Sequence, residues 1–164
     1  DMESRIVLTK LGPATVASVY VPNGGKDLVA KLKFLEAIDA FAAEAQTRDQ
    51  PLILCGDFNV AHTDRDVHAK ERKPNIVGQL SEERALIDRL ISRGLVDVGR
   101  TLEPDNDNLF TWWAPWRNLR QRNIGWRIDF VFASAALATR AVGYASVREF
   151  GTSDHAPQLT SFAL

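Results

Sequence analysis

Apolar and polar residues alternate twice near the front of the chain, over residues 5–10 and 14–21, on either side of the turn signal Leu11-Gly12-Pro13. A period of two predicts a pair of strands. In the second, Val16, Ser18 and Tyr20 fall on one face and Ala17, Val19 and Val21 on the other. Pro22-Asn23-Gly24-Gly25 breaks the run. The period then lengthens. Leu28, Leu32, Leu35, Ile38, Ala42 and Ala45 recur at helical spacing, which predicts a helix over residues 27–46.

Residues 51–55 form a short apolar run that predicts a buried strand ending in Gly56-Asp57-Phe58-Asn59. Residues 60–80 are polar and read as a loop. A second helix is predicted over 81–93, with Ser81 as N-cap, Glu82 and Glu83 at its positive end and Gly94 at its stop. Residues 109–113 read as a strand. So do residues 127–133, with Ile128, Phe130 and Phe132 on one face and Arg127, Asp129 and Val131 on the other. Residues 141–147 and 159–164 are expected to close the sheet. There is no repeat or linker. The fold class is α/β, a layered single domain over residues 1–164.

Composition narrows the function only a little. At 45% hydrophobic and 25% charged the chain is an ordinary globular protein, with no apolar run of membrane-spanning length. A cytoplasmic location without a membrane partner is expected. Cys55 is the single cysteine, so no internal disulfide forms; in its apolar run it reads as a small buried residue. The net charge of −1 opposes bulk attraction to nucleic acid, but residues 117–127 hold Arg117, Arg120, Arg122 and Arg127 with no acid. Such a basic stripe on a near-neutral body is a candidate DNA footprint.

Three clusters carry candidate chemistry. Asp57 and Asn59 stand at the end of a buried strand, a rigid mount for catalytic groups, although an Asx turn closing the strand has the same pattern. Asp154-His155 could serve a metal, a phosphate or a proton, or form a surface turn stopped by Pro157. Asp129 lies inside the apolar run 128–132, where an unpaired acid is costly. His155 is its natural partner if the sheet brings them together, and the carboxylate would keep the imidazole protonated. The carboxylates suit Mg²⁺ or Mn²⁺ and offer too little nitrogen and sulfur for zinc. His62 and His68 read as loop residues. Trp112 and Trp113 read as core, whereas Trp116 and Trp126 flank the arginine stretch and are placed nearer DNA.

Tyr20-Val21-Pro22-Asn23-Gly24-Gly25, Cys55-Gly56-Asp57-Phe58-Asn59-Val60-Ala61-His62, Asn123-Ile124-Gly125-Trp126-Arg127-Ile128-Asp129 and Ser153-Asp154-His155-Ala156-Pro157 resemble, in order, the motifs of the exonuclease III/abasic-site endonuclease family. The likeness runs essentially the length of the chain. It implies part of a four-layered α/β/β/α sandwich whose N-terminal sheet region is missing. It also implies a Mg²⁺-dependent (or Mn²⁺-dependent) phosphodiesterase of base-excision repair that cuts double-stranded DNA 5′ to abasic sites and works on 3′ ends.

The resemblance assigns roles residue by residue. Asp57 would orient or deprotonate the attacking water, and Asn59 would hold that water and the phosphate. His155, held by Asp129, would stabilise the scissile phosphate. Asp154, with Asp57 and Asn59, would lie at the metal. Tyr20 and Asn23 would contact the phosphate. Phe110, Trp126 and Ile128 would wall a pocket for a flipped abasic sugar, while Arg117, Arg120 and Arg122 would meet phosphates or a groove. The family's early asparagine and its main metal-ligating glutamate have no counterpart: Glu3 precedes the first strand and Glu36 sits on the first helix. The chain opens at Asp1 with a strand already running, so an upstream segment is expected as its partner. Alone, the chain is expected to be a weak or inactive enzyme, with an inner apolar sheet face exposed. A non-catalytic DNA-binding half, or a phosphatase or sphingomyelinase-like relative, are the alternatives.

Overall fold

The computed structural model describes residues 5–163; Glu3 and Leu164 lie outside them. The two front strands are β1 (Ile6–Leu11) and β2 (Ala14–Tyr20), an antiparallel pair. Helix α1 (Leu28–Thr47) follows, its Asp27 side chain accepting from the amide of Ala30. It crosses over to β3 (Leu52–Asp57), which runs parallel to β2. Two short 3₁₀ turns, Asp64–Asp66 and Ala69–Glu71, interrupt the polar stretch read as a loop. Then come α2 (Ser81–Ser92), β4 (Leu95–Asp97), α3 (Val98–Leu102), β5 (Asp129–Ser134), α4 (Ala135–Ala138), β6 (Ala141–Ser146) and β7 (Gln158–Phe162).

Five strands form one sheet in the order β1-β2-β3-β5-β4. The alternation of β2 works as expected. Ala17, Val19 and Val21 face a core with Phe34, Leu35 and Ile38 of α1 and Leu86, Ile87 and Leu90 of α2. Phe130 and Phe132 of β5 join this layer. Ile53, Val131 and Ala133 point the other way, onto α3, α4, Tyr144 of β6 and Phe162 of β7. Helices therefore cover one face, and a second small sheet covers part of the other. A cleft of about 430 Å³ remains there, lined by Ile53, Cys55, Val131 and Phe162 among others. The apolar side chains left exposed include Val7 and Leu8 of β1 and Val142 and Leu159 of the small sheet.

Four expectations need correction. Strands β6 and β7 pair only with each other and do not close the main sheet; local periodicity predicts a strand but not its partner. Residues 109–113 are not a strand. They are held by isolated bridges of Trp112 to Trp126 and to His155. Strand β5 begins at Asp129, so Arg127 and Ile128 precede it. Ser81 is the first residue of α2 rather than its cap; the carboxylate of Glu83 takes the amides of Leu80 and Gly78 instead. Among the described residues, no helix is long and apolar enough to cross a membrane.

Candidate active site

The ends of three adjacent strands put three of the expected residues on one line. Tyr20 of β2 is the Cα partner of Asp57 of β3, and Asp57 is the Cα partner of Asp129 of β5. Gly56 makes this approach possible: with φ +127, a Cβ there would lie 2.1 Å from the carbonyl oxygen of Val19. Phe58 anchors the turn that follows. It is fully buried and packs edge-on against Phe130 and Phe132, at centroid distances of 5.6 and 5.3 Å.

With Phe58 pointing inward, Asp57 and Asn59 point to the same cleft. Asn59 adopts a left-handed backbone, φ +53, which asparagine tolerates better than most residues. Its backbone amide donates to Asp57 Oδ1 at 2.8 Å. Its side-chain amide donates to Asp57 Oδ2 and to the carbonyl of Val21, both at 2.9 Å. Asn23 donates to Asn59 Oδ1 at 3.2 Å, tying the Pro22–Gly25 turn to the same group.

Asp129 does find His155. The imidazole Nδ1 donates to both carboxylate oxygens, at 3.0 and 3.2 Å. Thr111 fixes the acid from behind, its hydroxyl accepting the amides of Ile128 and Asp129. Burial alone would lower the His155 pKa, but the hydrogen bond and charge of Asp129 raise it above the usual imidazole value. Asp57 moves further. Desolvation, then the facing charge of Asp129, push its carboxyl up to about 7, against the opposing pull of the Asn59 amide, His155 and Lys31. A carboxyl raised so far in a cleft, beside a raised imidazole, is a pattern common where protons are exchanged.

A cleft of about 330 Å³ gathers Tyr20, Asn23, Asp57, Asn59, Trp126, Ile128, Asp154 and His155. It also contains Trp112, which the sequence placed in the core. The Trp112 indole donates to Asp154 Oδ2 at 2.9 Å and its ring stands edge-on to Trp126, 5.8 Å between centroids. The Trp126 indole N–H is buried with no acceptor among the described residues.

Phe110 is not part of this cleft. It is only 2% exposed and packs with Trp113, Leu119 and Ile124. The family resemblance placed Phe110 on the wall, and Trp112 stands there instead. The basic stripe also dissolves in part. Arg127 is 1% exposed and locked between Asp66 and Asp97. Arg120 spends its guanidinium on the carbonyls of Arg148, Phe150 and Ser153, bracing the loop that carries Asp154 and His155. Arg117 and Arg122 remain exposed. His62 pairs with Asp88 at 2.7 Å, and His68 accepts from the amide of Lys70, outside the cleft.

The expected Mg²⁺ or Mn²⁺ ligands share the cleft, but they do not complete a site. A hard divalent ion takes about six oxygens. Among the described residues no group of three or more His, Cys, Asp and Glu is arranged to hold one. Both oxygens of Asp57 are engaged by Asn59, those of Asp129 by His155, and one of Asp154 by Trp112. Glu36 is exposed on α1 and does not line the cleft.

Residues 3–155 match the family model described as the Endonuclease/Exonuclease/phosphatase family. The chain belongs to this family. Within it, the chain is 32% identical over 160 residues to an exodeoxyribonuclease of Bacillus subtilis (strain 168), covering 96% of the chain and 63% of that protein. The structure of an AP endonuclease from Archaeoglobus fulgidus superposes with a TM-score of 0.89 at 27% identity, covering 99% of the chain and 66% of that protein. A 3′ phosphatase from Neisseria, solved with a product DNA hairpin, gives 0.89 at 28% identity over 98% of the chain and 65% of its own. The family member described here therefore spans a little under two thirds of the length of these relatives.

Proposed function

We propose that the protein containing this chain is a DNA phosphodiesterase of base-excision repair, acting at abasic sites and on blocked or terminal 3′ ends. The observation that carries this reading is the line Tyr20–Asp57–Asp129 with His155 paired to Asp129, all opening on one cleft walled by Trp112, Trp126 and Ile128. Its relatives' names support DNA as the substrate.

Hydrolysis forms a bond from a water oxygen to phosphorus and breaks the bond from phosphorus to the 3′ oxygen. A 3′-hydroxyl and a 5′-phosphate result. Asp57, once ionised, takes the water's proton, while Asn59 holds the Asp57 carboxylate in place through its backbone and side-chain amides. His155, kept protonated by Asp129, faces the phosphate oxygens and offsets the charge that develops on them. The Asn23 turn and the Tyr20 hydroxyl add polar contacts to the same group. A wall of two indoles and an isoleucine accepts a flat or base-free sugar and leaves little room for a paired base. Dependence on Mg²⁺ or Mn²⁺ is part of the proposal, with ligands beyond those described completing the ion's shell.

The test offers the full-length protein an abasic duplex, a duplex with a 3′-phosphate end, and inositol or sphingolipid phosphates, each with Mg²⁺ and with EDTA. Cutting 5′ to the abasic site or release of the 3′ block, abolished by EDTA, is expected. Preference for the lipid or inositol phosphates, cutting indifferent to EDTA, or DNA binding without any cutting would overturn the reading.

A further inference from the structure

Beneath the cleft lies a charge pair for which the chemistry above has no use. Lys31 of α1 and Glu83 of α2 are both 0% exposed and in contact with each other. Lys31 occupies the apolar stripe of its helix, one turn before Leu35. Burying two charges is expensive, and a well-packed apolar pair often serves stability as well or better. Their other bonds say what they hold.

The ammonium of Lys31 donates to the backbone carbonyl of Asn59 at 2.7 Å. Its alkyl stem runs under the Pro22–Gly25 turn so closely that a Cβ on Gly24 would lie 2.6 Å from its Cδ. The free oxygen of Glu83 accepts the amides of Gly78 at 2.6 Å and Leu80 at 3.0 Å. Gly78, at φ +90, lies against the cleft wall, where a Cβ would come 3.0 Å from the ring of Trp126 and 3.2 Å from the Asn59 carbonyl. One ion pair thus touches three separate segments of the cleft: the turn with Asn23, the loop with Asp57 and Asn59, and the turn at Gly78.

We propose that Lys31 and Glu83 are positioning residues, a buried clasp that holds Asn59 in its left-handed conformation and sets the Asn23 and Gly78 turns around it. The inference rests on the phosphodiesterase reading for its kinetic consequence but not for its structural one. Neither residue touches substrate; both act through Asn59 and the turn backbones. The clasp uses one cation because the Asn59 carbonyl faces inward and needs a donor, and one carboxylate because two turn amides need acceptors. Lys31 also lies near enough to Asp57 for each to shift the other's proton affinity, which agrees with its place under that loop.

The test compares Lys31→Met, Glu83→Gln and the double variant in the full-length protein. The double variant leaves neither charge buried alone and keeps only a weaker, uncharged acceptor for the Gly78 and Leu80 amides, so it separates folding cost from positioning. Each is assayed well below its own melting midpoint. A misplaced catalytic loop costs on the order of 100-fold, so kcat on the abasic duplex should fall by about 10- to 100-fold in all three, with KM changed far less. The double variant should recover most of the melting temperature and little of the kcat. Amide hydrogen exchange at Asn59, Gly78 and Leu80 should accelerate in the same variants while the β3–β5 ladder stays protected. Wild-type kcat in the double variant, or unchanged exchange in those three amides, overturns the clasp. If the wild-type protein cuts no DNA, the phosphodiesterase reading fails, and the exchange measurement alone decides for or against the clasp.

Discussion

Asp57 and Asp129 face each other across the last rung of the antiparallel ladder between β3 and β5. Like charges placed opposite one another destabilise a sheet, and at this rung the burden falls on Asp57. Asp129 is hydrogen-bonded to His155, while Asp57 holds its proton up to about 7.

Stability should therefore respond to pH through Asp57. A carboxyl raised in the folded state favours folding while protonated, and that benefit is lost as pH climbs from the unfolded value near 3.8 through about 7. The Asp57→Asn variant removes the titration. It gives up one acceptor for Asn59, so its gain should appear as a difference between pH values. Its melting temperature relative to wild type should be more favourable at pH 8 than at pH 5. Melting curves at the two pH values check this, and a difference that does not change with pH contradicts it.

The His155 pKa is raised as well, but here the charged form is the one favoured. Its folded pKa is raised, so the pair with Asp129 contributes fully below the unfolded value of 6.5 and is lost as pH rises through the folded one. A proton NMR titration of the imidazole should show a midpoint above that of a free histidine. Asp129→Asn should move that midpoint down, because burial then acts without its compensating charge. A midpoint that ignores the substitution would mean that the hydrogen bond does not form.

Arg127 gives a prediction about folding alone. Burial would raise Asp66, but Arg127 and Arg100 more than offset it and hold the carboxyl at about 2. The contribution is present above the unfolded value near 3.8 and is lost as pH falls toward 2. Asp66→Asn leaves Arg127 half-paired, and breaking a buried pair from one side costs about 3–5 kcal/mol. Urea unfolding at pH 7 measures this. The loss should shrink toward pH 2.5, where the wild type also begins to give up the charge.

The two aromatics that changed places should separate cleanly. Phe110→Ala opens a hole in a packed cluster and should cost about 3–5 kcal/mol of stability. Its effect on substrate choice should be small. Trp112→Ala removes part of the cleft wall and the indole donor to Asp154. It should cost less stability and weaken discrimination between an abasic site and an intact nucleotide. Paired measurements of unfolding free energy and of relative kcat/KM on the two duplexes check both halves.

These assignments show where the sequence was legible. Helix α1 and strand β2 follow from periods that a single face of burial enforces, so their residues were placed correctly. Asp57, Asn59 and His155 could be singled out because their motifs stand together in the order of the family; each pattern alone also fits a turn next to a strand. Trp112 was missed because residues 109–113 read as a strand whose aromatics pack, whereas isolated bridges hold them and leave the Trp112 ring at the cleft. Arg127 and Lys31 were missed because a charge in a pattern reads as solvated unless its partner is known. Their partners, Asp66, Asp97 and Glu83, lie far off in sequence. Lys31 did leave a trace, at a position on the apolar stripe of α1. The pairing of β6 with β7 alone had no local signal, since a strand's own residues do not name its neighbour.

The central claim is that Asp57 and His155 act on one phosphodiester held between them. The most direct measurement is single-turnover cleavage of an abasic duplex with Mg²⁺ by the full-length protein, its Asp57→Asn and His155→Asn forms, and the double variant. Each single change should slow cleavage by on the order of 100-fold or more, as loss of a positioned base or of a donor to developing charge does. The double variant should lose much less than the product of the two, because the groups serve one step. Cleavage at the wild-type rate by either single variant, once shown to be folded, contradicts the account.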